Sequence, residues 1–431
     1  MSTQFTVDIY QNEYLPEGGT EVNAIVTVTA TGGFPAGGGP SAAAAEVIII
    51  DTSGSMGYPA SKMTAAKQAT AAAIDTLRDG VAFAIIAGSH QAELVYPADG
   101  RLIAASAQTR TAAKAAVARV KPDGGTAIGS WLRLAHRLFT DHSVPGAIHH
   151  TILLTDGNNQ HETDLQLREA LAECAGSFTC DARGVGTDWV VAELRTVASA
   201  LLGTVDIVAD PAGLAADFQA MTEHAMGKAV AGVALRVWSP QGSSVRFVKQ
   251  VLPAVEDLTG RRAQSGPLSG DYPLGAWGAE SRDYHVCVEV RPGGVGDEML
   301  GARVSLVLPG GEVAAQGLVR AVWTGDGALS TRINAQVAHY TGQAELAQAI
   351  QDGLEARRDG DTDTATTRLG RAVQLAAASG NTAIGELLGK VVEVEDPATG
   401  TVRLKATVNE ADEMTLDSRS SKTVRVGKTG H

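Results

Sequence analysis

The chain is predicted to hold a doubly wound, mainly parallel α/β sheet, inserted in or lying next to a β-sandwich and followed by a helical segment. Three observations predict this. Between residues 45 and 228, apolar strand-like runs alternate with helical stretches over short connections, the pattern of βα units laid onto one open sheet. The runs at 46–51, 81–88 and 148–155 are continuously apolar rather than alternating, as strands covered on both faces by helices must be. Residues 229–335 then change to short strands separated by turns such as Pro292-Gly293-Gly294 and Pro309-Gly310-Gly311, the pattern of a sandwich. With 431 residues the chain exceeds a usual single domain, so two or three are expected.

The elements follow in order. Residues 1–40 begin with two alternating stretches, Phe5, Val7, Ile9 and then Val22, Ala24, Val26, Val28, with Leu15-Pro16-Glu17-Gly18-Gly19 as turn material between them. Two strands alone are only marginally stable, so they are expected to join the sandwich at 229–335. Phe34-Pro35-Ala36-Gly37-Gly38-Gly39-Pro40 reads as a linker. Within 45–228, strands are expected at 46–51, 81–88, 92–97, 148–155, 179–185 and 204–209. Helices are expected at 62–78, 109–120, 127–140, 164–174, 188–202 and 211–226. Residues 343–391 place Ala and Leu on one face of a helical hairpin or small bundle, with Gly380-Asn381 as a stop and turn. Beyond residue 393 the chain turns polar and is expected to be disordered.

Composition narrows the function. A formal net charge of −13 argues against a nucleic-acid binder, whose footprint is basic. No apolar stretch approaches the roughly 20 residues that span a bilayer, and the first residues carry no secretory signal. Cys174, Cys180 and Cys287 are odd in number and lack metal-ligand pairing, so reduced thiols in a cytoplasm are the simpler reading.

The chemistry concentrates after the first apolar strand. Asp51-Thr52-Ser53-Gly54-Ser55 carries three oxygen-bearing side chains at alternating positions, on a loop leaving Val47-Ile48-Ile49-Ile50. Two later loops can complete the set: Asp123-Gly124-Gly125-Thr126, and Thr155-Asp156-Gly157 at the end of another apolar strand. Hydroxyl and carboxylate oxygens suit hard ions such as Mg²⁺ or Mn²⁺, which favour six oxygen ligands. Open α/β sheets place their ligand crevice at such carboxyl strand ends.

On these residues the stretch 45–228 resembles a von Willebrand factor A-type (VWA) domain with a metal-ion-dependent adhesion site, of the bacterial intracellular kind. The pattern D-x-S-x-S, then Thr, then Asp is matched by Asp51, Ser53, Ser55, Thr126 and Asp156. The resemblance implies that the hydroxyls contact the ion while the two aspartates act through water or hydrogen bonds. An open coordination position then accepts an Asp or Glu carboxylate of a protein partner. It also implies an alternative: an accessory subunit beside an AAA+ ATPase in a chelatase or cofactor-insertion assembly. That ATPase must be another chain, because no G-x-x-x-x-G-K-[ST] loop is present.

No acid–base partner accompanies the site, so the protein is expected not to be an enzyme. Lys62 and Lys67 are read as solvated-face lysines, and His149-His150 and His161-Glu162 as ordinary surface or packing residues. Met56 and Tyr58 flank the metal loop, as an apolar rim or as loop packing. Asp359-Gly360-Asp361-Thr362-Asp363 lacks the Gly and Glu of a calcium loop and reads better as a helix cap. Ser420, Ser421 and Thr423, among Arg419, Lys422 and Arg425, form a candidate phosphorylated tail for a phosphothreonine-reading protein.

Overall fold

The computed structural model describes residues 3–32, 43–142, 144–208 and 210–425. The expected linker at 34–40 lies outside the described residues. The chain divides into two compact units, one running through the α/β region to Ala231 with Gly275–Gly278 added. The other holds the N-terminal strands, Gly232–Leu274 and the residues from Ala279 onward.

The α/β unit is built on a seven-stranded sheet. Its order is Val205–Val208, Thr179–Val185, Ile148–Thr155, Ala44–Asp51, Ala82–Gly88 and Ala92–Tyr96, with Ile103–Ala104 also paired to Ala82–Gly88. The pairings from Val205–Val208 across to Ala82–Gly88 are parallel; those of Ala92–Tyr96 and Ile103–Ala104 are antiparallel. The central strand explains the site. From Ala44–Asp51 the chain crosses to Ala82–Gly88 on one side and later returns to Ile148–Thr155 on the other. The strand order therefore reverses at Asp51, and the crevice opens at the carboxyl ends of these strands.

Helices cover the sheet because its strands are apolar on both faces. Val47, Ile48, Ile49 and Ile50 are fully buried. Ile48 and Ile50 share one core with Ile85, Ile152 and Leu154, with Ala66, Ala69 and Ala73 of the Ser61–Thr76 helix, and with Phe218 and Met221 of the Leu214–Met226 helix. Alanine at these helix positions lets backbone approach backbone, so the fit is by small residues rather than aromatic bulk. Each fully buried Ile contributes about 1.5–3 kcal/mol.

Across the middle of this sheet runs a buried ionic triad. His150 donates from Nδ1 to Glu46 Oε1 at 2.9 Å and from Nε2 to Asp181 Oδ2 at 3.1 Å, joining three adjacent strands. Burial alone would favour the neutral ring. The charges and hydrogen bonds of Glu46 and Asp181 outweigh it and raise the pKa of His150 to about 10. His150 is thus a structural cation and not the surface or packing residue expected. Its neighbour His149 stacks on Phe139 at 4.6 Å between ring centres.

Among the described residues, the second unit contains two larger sheets and a two-stranded hairpin. Gln4–Gln11 and Glu21–Thr31 pair with each other, and Glu21–Thr31 pairs with Ser281–Glu289, which continues to Ser244–Leu252 and Glu256–Asp257. The other sheet runs Ala263–Gly266, Ser269–Trp277, Val230–Trp238, Glu298–Val307, Val313–Trp323 and Tyr14–Leu15. Val22, Ala24, Val26 and Val28 are all buried, while Ile25, on the opposite face, packs with Val337 and Tyr340 of the Ala335–Arg358 helix.

The C-terminal region departs from expectation. After the helices Ala335–Arg358, Thr362–Ser379 and Thr382–Val391 the chain is ordered: Val392–Asp396 and Thr401–Leu404 form a hairpin, and Glu410–Arg419 a helix. The physical reason is a sparse set of apolar side chains. Val392, Val402 and Leu416 enter the same core as Leu346, Ile350, Leu354, Leu369 and Leu388, although the stretch is polar on average. Asp361 accepts from Thr364 N at 3.0 Å, capping Thr362–Ser379.

The candidate phosphorylated tail is likewise packed. Thr423 donates from N to Pro253 O at 3.0 Å and from Oγ1 to Val251 O at 2.7 Å, and Val255 N donates to Ser421 O at 2.8 Å. Ser420 is buried, its hydroxyl donating to Asp417 O. These residues form a strap along the Ser244–Leu252 strand and the turn after it, not a displayed peptide.

Candidate metal centre

Three loops meet at the carboxyl ends of the central strands. Backbone hydrogen bonds stitch them: Gly54 N to Gly124 O at 2.9 Å, Asp123 N to Thr52 O at 2.7 Å, and His161 N to Thr126 O at 2.9 Å. Thr52 is tied to the neighbouring strand by donating from N to Gly88 O at 2.7 Å. Side chains crowd the glycines here, most firmly the buried Trp131 at Gly88, and Gly124 has a φ of 75°. A Cβ at Gly124 would lie 2.2 Å from His90 Nδ1, one at Gly125 1.8 Å from the His161 ring, and one at Gly88 2.3 Å from Trp131.

Within this frame the predicted oxygens come together. Ser53 Oγ lies 3.0 Å from Ser55 Oγ, which in turn donates to Asp156 Oδ1 at 2.7 Å. A Cβ at Gly157 would lie 3.5 Å from both Ser55 Oγ and Thr126 Oγ1, so both hydroxyls border the same small space beside that backbone. Ser53, Thr126 and Asp156 are buried.

This donor set fits a hard divalent ion. Oxygens about 2.1 Å from an octahedrally coordinated Mg²⁺ sit about 3.0 Å apart along each edge. The Ser53–Ser55 spacing has that value, and the shorter Ser55–Asp156 hydrogen bond sets a carboxylate beside the hydroxyls. Among the described residues no group of three or more His, Cys, Asp and Glu side chains is placed to hold a metal. The candidate therefore rests on hydroxyls, whose neutrality would leave a bound cation electrophilic. Asn158 Oδ1, two residues beyond Asp156, is also buried and has no hydrogen-bond donor among the described residues.

The two aspartates do different work. Both oxygens of Asp51 are engaged by the protein: Oδ1 accepts from Ser53 N at 2.7 Å and Oδ2 from Thr155 Oγ1 at 2.5 Å. Asp51 thereby shapes the loop that aims the serines. Burial, opposed by these hydrogen bonds, pushes its carboxyl up to about 6. Asp156 accepts from Ser55 on one oxygen and from an ammonium on the other.

That ammonium belongs to Lys62, and sequence reasoning misplaced it. Its Nζ lies 2.8 Å from Asp156 Oδ2 and 2.9 Å from Asp188 Oδ2, with the lysine side chain only 9% exposed. Burial works against the charge, but the two carboxylates outweigh it and hold the Lys62 pKa above the ordinary lysine value. Asp188 was expected inside a helix. It lies instead on the loop before Val191–Ala200, where Trp189 folds over Gly184 and Gly186 turns with φ of 71°. Glu162, expected to be an ordinary surface or packing residue, accepts from Gly129 N and Ser130 N and caps the Ile128–His142 helix. Met56 is fully buried, whereas Tyr58 is 86% exposed at the edge of the metal loop.

The model of the von Willebrand factor type A domain matches residues 45–207, and that of the von Willebrand factor type A C-terminal domain matches 374–420. No match was found among curated proteins. Among solved structures, a von Willebrand factor type A protein from Catenulispora acidiphila is 55% identical, with 98% of this chain and 97% of that one covered and a TM-score of 0.93. The ArnB paralog VWA2 from Sulfolobus acidocaldarius is 14% identical over 98% of each chain, with a TM-score of 0.60, and shares the fold. Agreement at 55% identity over nearly the whole of both chains leaves one assignment: this chain belongs to the von Willebrand factor type A family.

Proposed function

We propose that the protein is a non-enzymatic, cytoplasmic interaction module that docks an acidic side chain of a partner protein through a divalent ion, Mg²⁺ or Mn²⁺. VWA domains mediate metal-dependent protein interactions. The observation that carries the reading here is the meeting of the Ser53 and Ser55 hydroxyls, with Asp156 hydrogen-bonded to Ser55, at the strand-order reversal of the sheet.

When bound, the ion supplies a Lewis acid for an outside carboxylate oxygen. The protein does the rest. Ser53, Ser55 and Thr126 hold the ion through neutral oxygens, with Asp156 supplying charge beside them. Asp51 fixes the serine loop, and Thr155 fixes Asp51. Tyr58 offers an exposed ring at the rim, where a partner's apolar residue beside its Asp or Glu can pack.

An adhesive role is favoured over a hydrolytic one by how nearby proton carriers are used. Lys62 is held between two carboxylates, and Nδ1 of His161 accepts from Thr126 N at 3.3 Å. Pull-down with wild type and Asp51→Ala, each with Mg²⁺ and with EDTA, tests the proposal. Capture seen only for wild type with Mg²⁺ is the expected result. Capture that ignores chelation would sink it, and an AAA+ ATPase among the captured proteins would select the accessory-subunit form of the same docking.

A further inference from the structure

Lys62 is an unusual choice for its position. It is the second residue of the Ser61–Thr76 helix, where the helix dipole disfavours a cation. Its side chain is almost fully buried, which costs free energy unless the charge is paired. The helix dipole and solvation therefore give no reason for a lysine here. What the position does offer is Asp156 on one side and Asp188 on the other, with the Nζ only 2.8 and 2.9 Å from their oxygens. The chain end runs beside Gly186, where a Cβ would be in ordinary contact 3.5 Å from Lys62 Cε.

The bridge fixes Asp156 in one orientation. Oδ1 faces the serine hydroxyls while Oδ2 is held by the ammonium, so the carboxylate cannot turn both oxygens toward the hydroxyl cluster. It also sets the charge of the buried cluster. Asp51 and Asp156 bring two negative charges and Lys62 one positive, leaving one net negative charge; Asp188 is 68% exposed and largely screened by water. A dication added to that cluster gives one net positive charge. Without Lys62 the same sum is zero, and the attraction for an outside anion falls.

Building on the metal-dependent reading above, we propose that Lys62 is a positioning residue that divides affinity between the ion and the partner: it weakens the protein's own hold on the divalent ion and strengthens the hold of the loaded site on an external carboxylate. The two effects have opposite sign. A lysine with a merely structural role would, when removed, weaken both.

The test uses the full chain and two probes. Mn²⁺ is titrated into wild type, Lys62→Met, Lys62→Arg and Asp188→Asn, with free aquo-ion read by electron paramagnetic resonance. Acetate is then titrated into the Mn²⁺-loaded proteins, with loss of bound water read by proton relaxation. For Lys62→Met, Mn²⁺ binding is expected to tighten about tenfold and acetate binding to weaken about tenfold, the size of one unit charge acting through a partly screened site. Lys62→Arg keeps the charge and should stay near wild type in both. Asp188→Asn, at the exposed end of the bridge, should move both constants the other way and by less, and it carries the test should Lys62→Met not fold. Weakening of both constants in Lys62→Met, or no change in either, would overturn the proposal. Absence of Mn²⁺ binding in wild type would instead remove the metal reading on which it rests.

Discussion

Replacing His150 by Gln removes the cation at the centre of the sheet and should be the most destabilising conservative change in the α/β unit. The imidazole lies between a fully buried Glu46 and Asp181, with hydrogen bonds of 2.9 and 3.1 Å. Without it Glu46 and Asp181, on the two strands that flank Ile148–Thr155, lose their shared cation, and among the described residues Asp181 keeps only its hydrogen bonds from Thr204. Breaking a buried ion pair in this way costs about 3–5 kcal/mol. At roughly 2–4 °C per kcal/mol for a unit of this size, the thermal midpoint should fall by about 6–20 °C. The pH dependence has a definite sign. Because the folded pKa of His150 is raised from the ordinary 6.5 to about 10, its contribution is complete below about 6.5. It is then lost as the pH rises through about 10. Wild type should therefore lose stability between pH 7 and 10.5 along an alkaline arm that His150→Gln lacks, and Glu46→Gln added to His150→Gln should recover part of the loss. Urea melts followed by circular dichroism across that range read all three. A His150→Gln protein within 1 kcal/mol of wild type, or one with the alkaline arm intact, would refute the reasoning.

Three other changes probe separate parts of the structure. Thr155→Val removes the hydroxyl that holds Asp51 Oδ2 at 2.5 Å; Mn²⁺ affinity should fall on the order of 10–100-fold by calorimetry while the fold stays intact. Gly88→Ala places a Cβ 2.3 Å from Trp131, and the overpacking should cost about 1–3 kcal/mol in a denaturant melt. Leu416→Ala empties a fully buried position in the C-terminal core and should cost about 2–5 kcal/mol. If residues 392–425 were a tail, that last change would leave the melt unaltered.

The parts legible in the sequence are those written locally. Four consecutive apolar residues followed by Asp51-Thr52-Ser53 reveal strand, loop and ligand type together, because a parallel strand covered on both faces reads as a near-continuous apolar run that stops where the loop begins. The Gly-Gly-Thr126 and Thr155-Asp156 segments are readable for the same reason. Lys62 was not. Its role depends on Asp156 and Asp188 arriving from other strand ends, 94 and 126 residues away, and a lysine in the first turn of a helix ordinarily faces water. His150 escaped similarly, since its partners lie on two neighbouring strands. The C-terminal segment misled through averaging: Val392, Val402 and Leu416 are few among polar neighbours, yet each enters a core assembled by the preceding helices.

The central claim is that Ser53, Ser55, Thr126, Asp51 and Asp156 form a single divalent-ion site. Calorimetric titration of Mg²⁺ and Mn²⁺ into the full chain, beside a Ser53→Ala, Ser55→Ala double variant, tests it most directly. One ion bound per chain in wild type and none in the double variant, with unchanged thermal midpoints in EDTA, is the expected result. Equal binding by both proteins, or none by wild type, would contradict it.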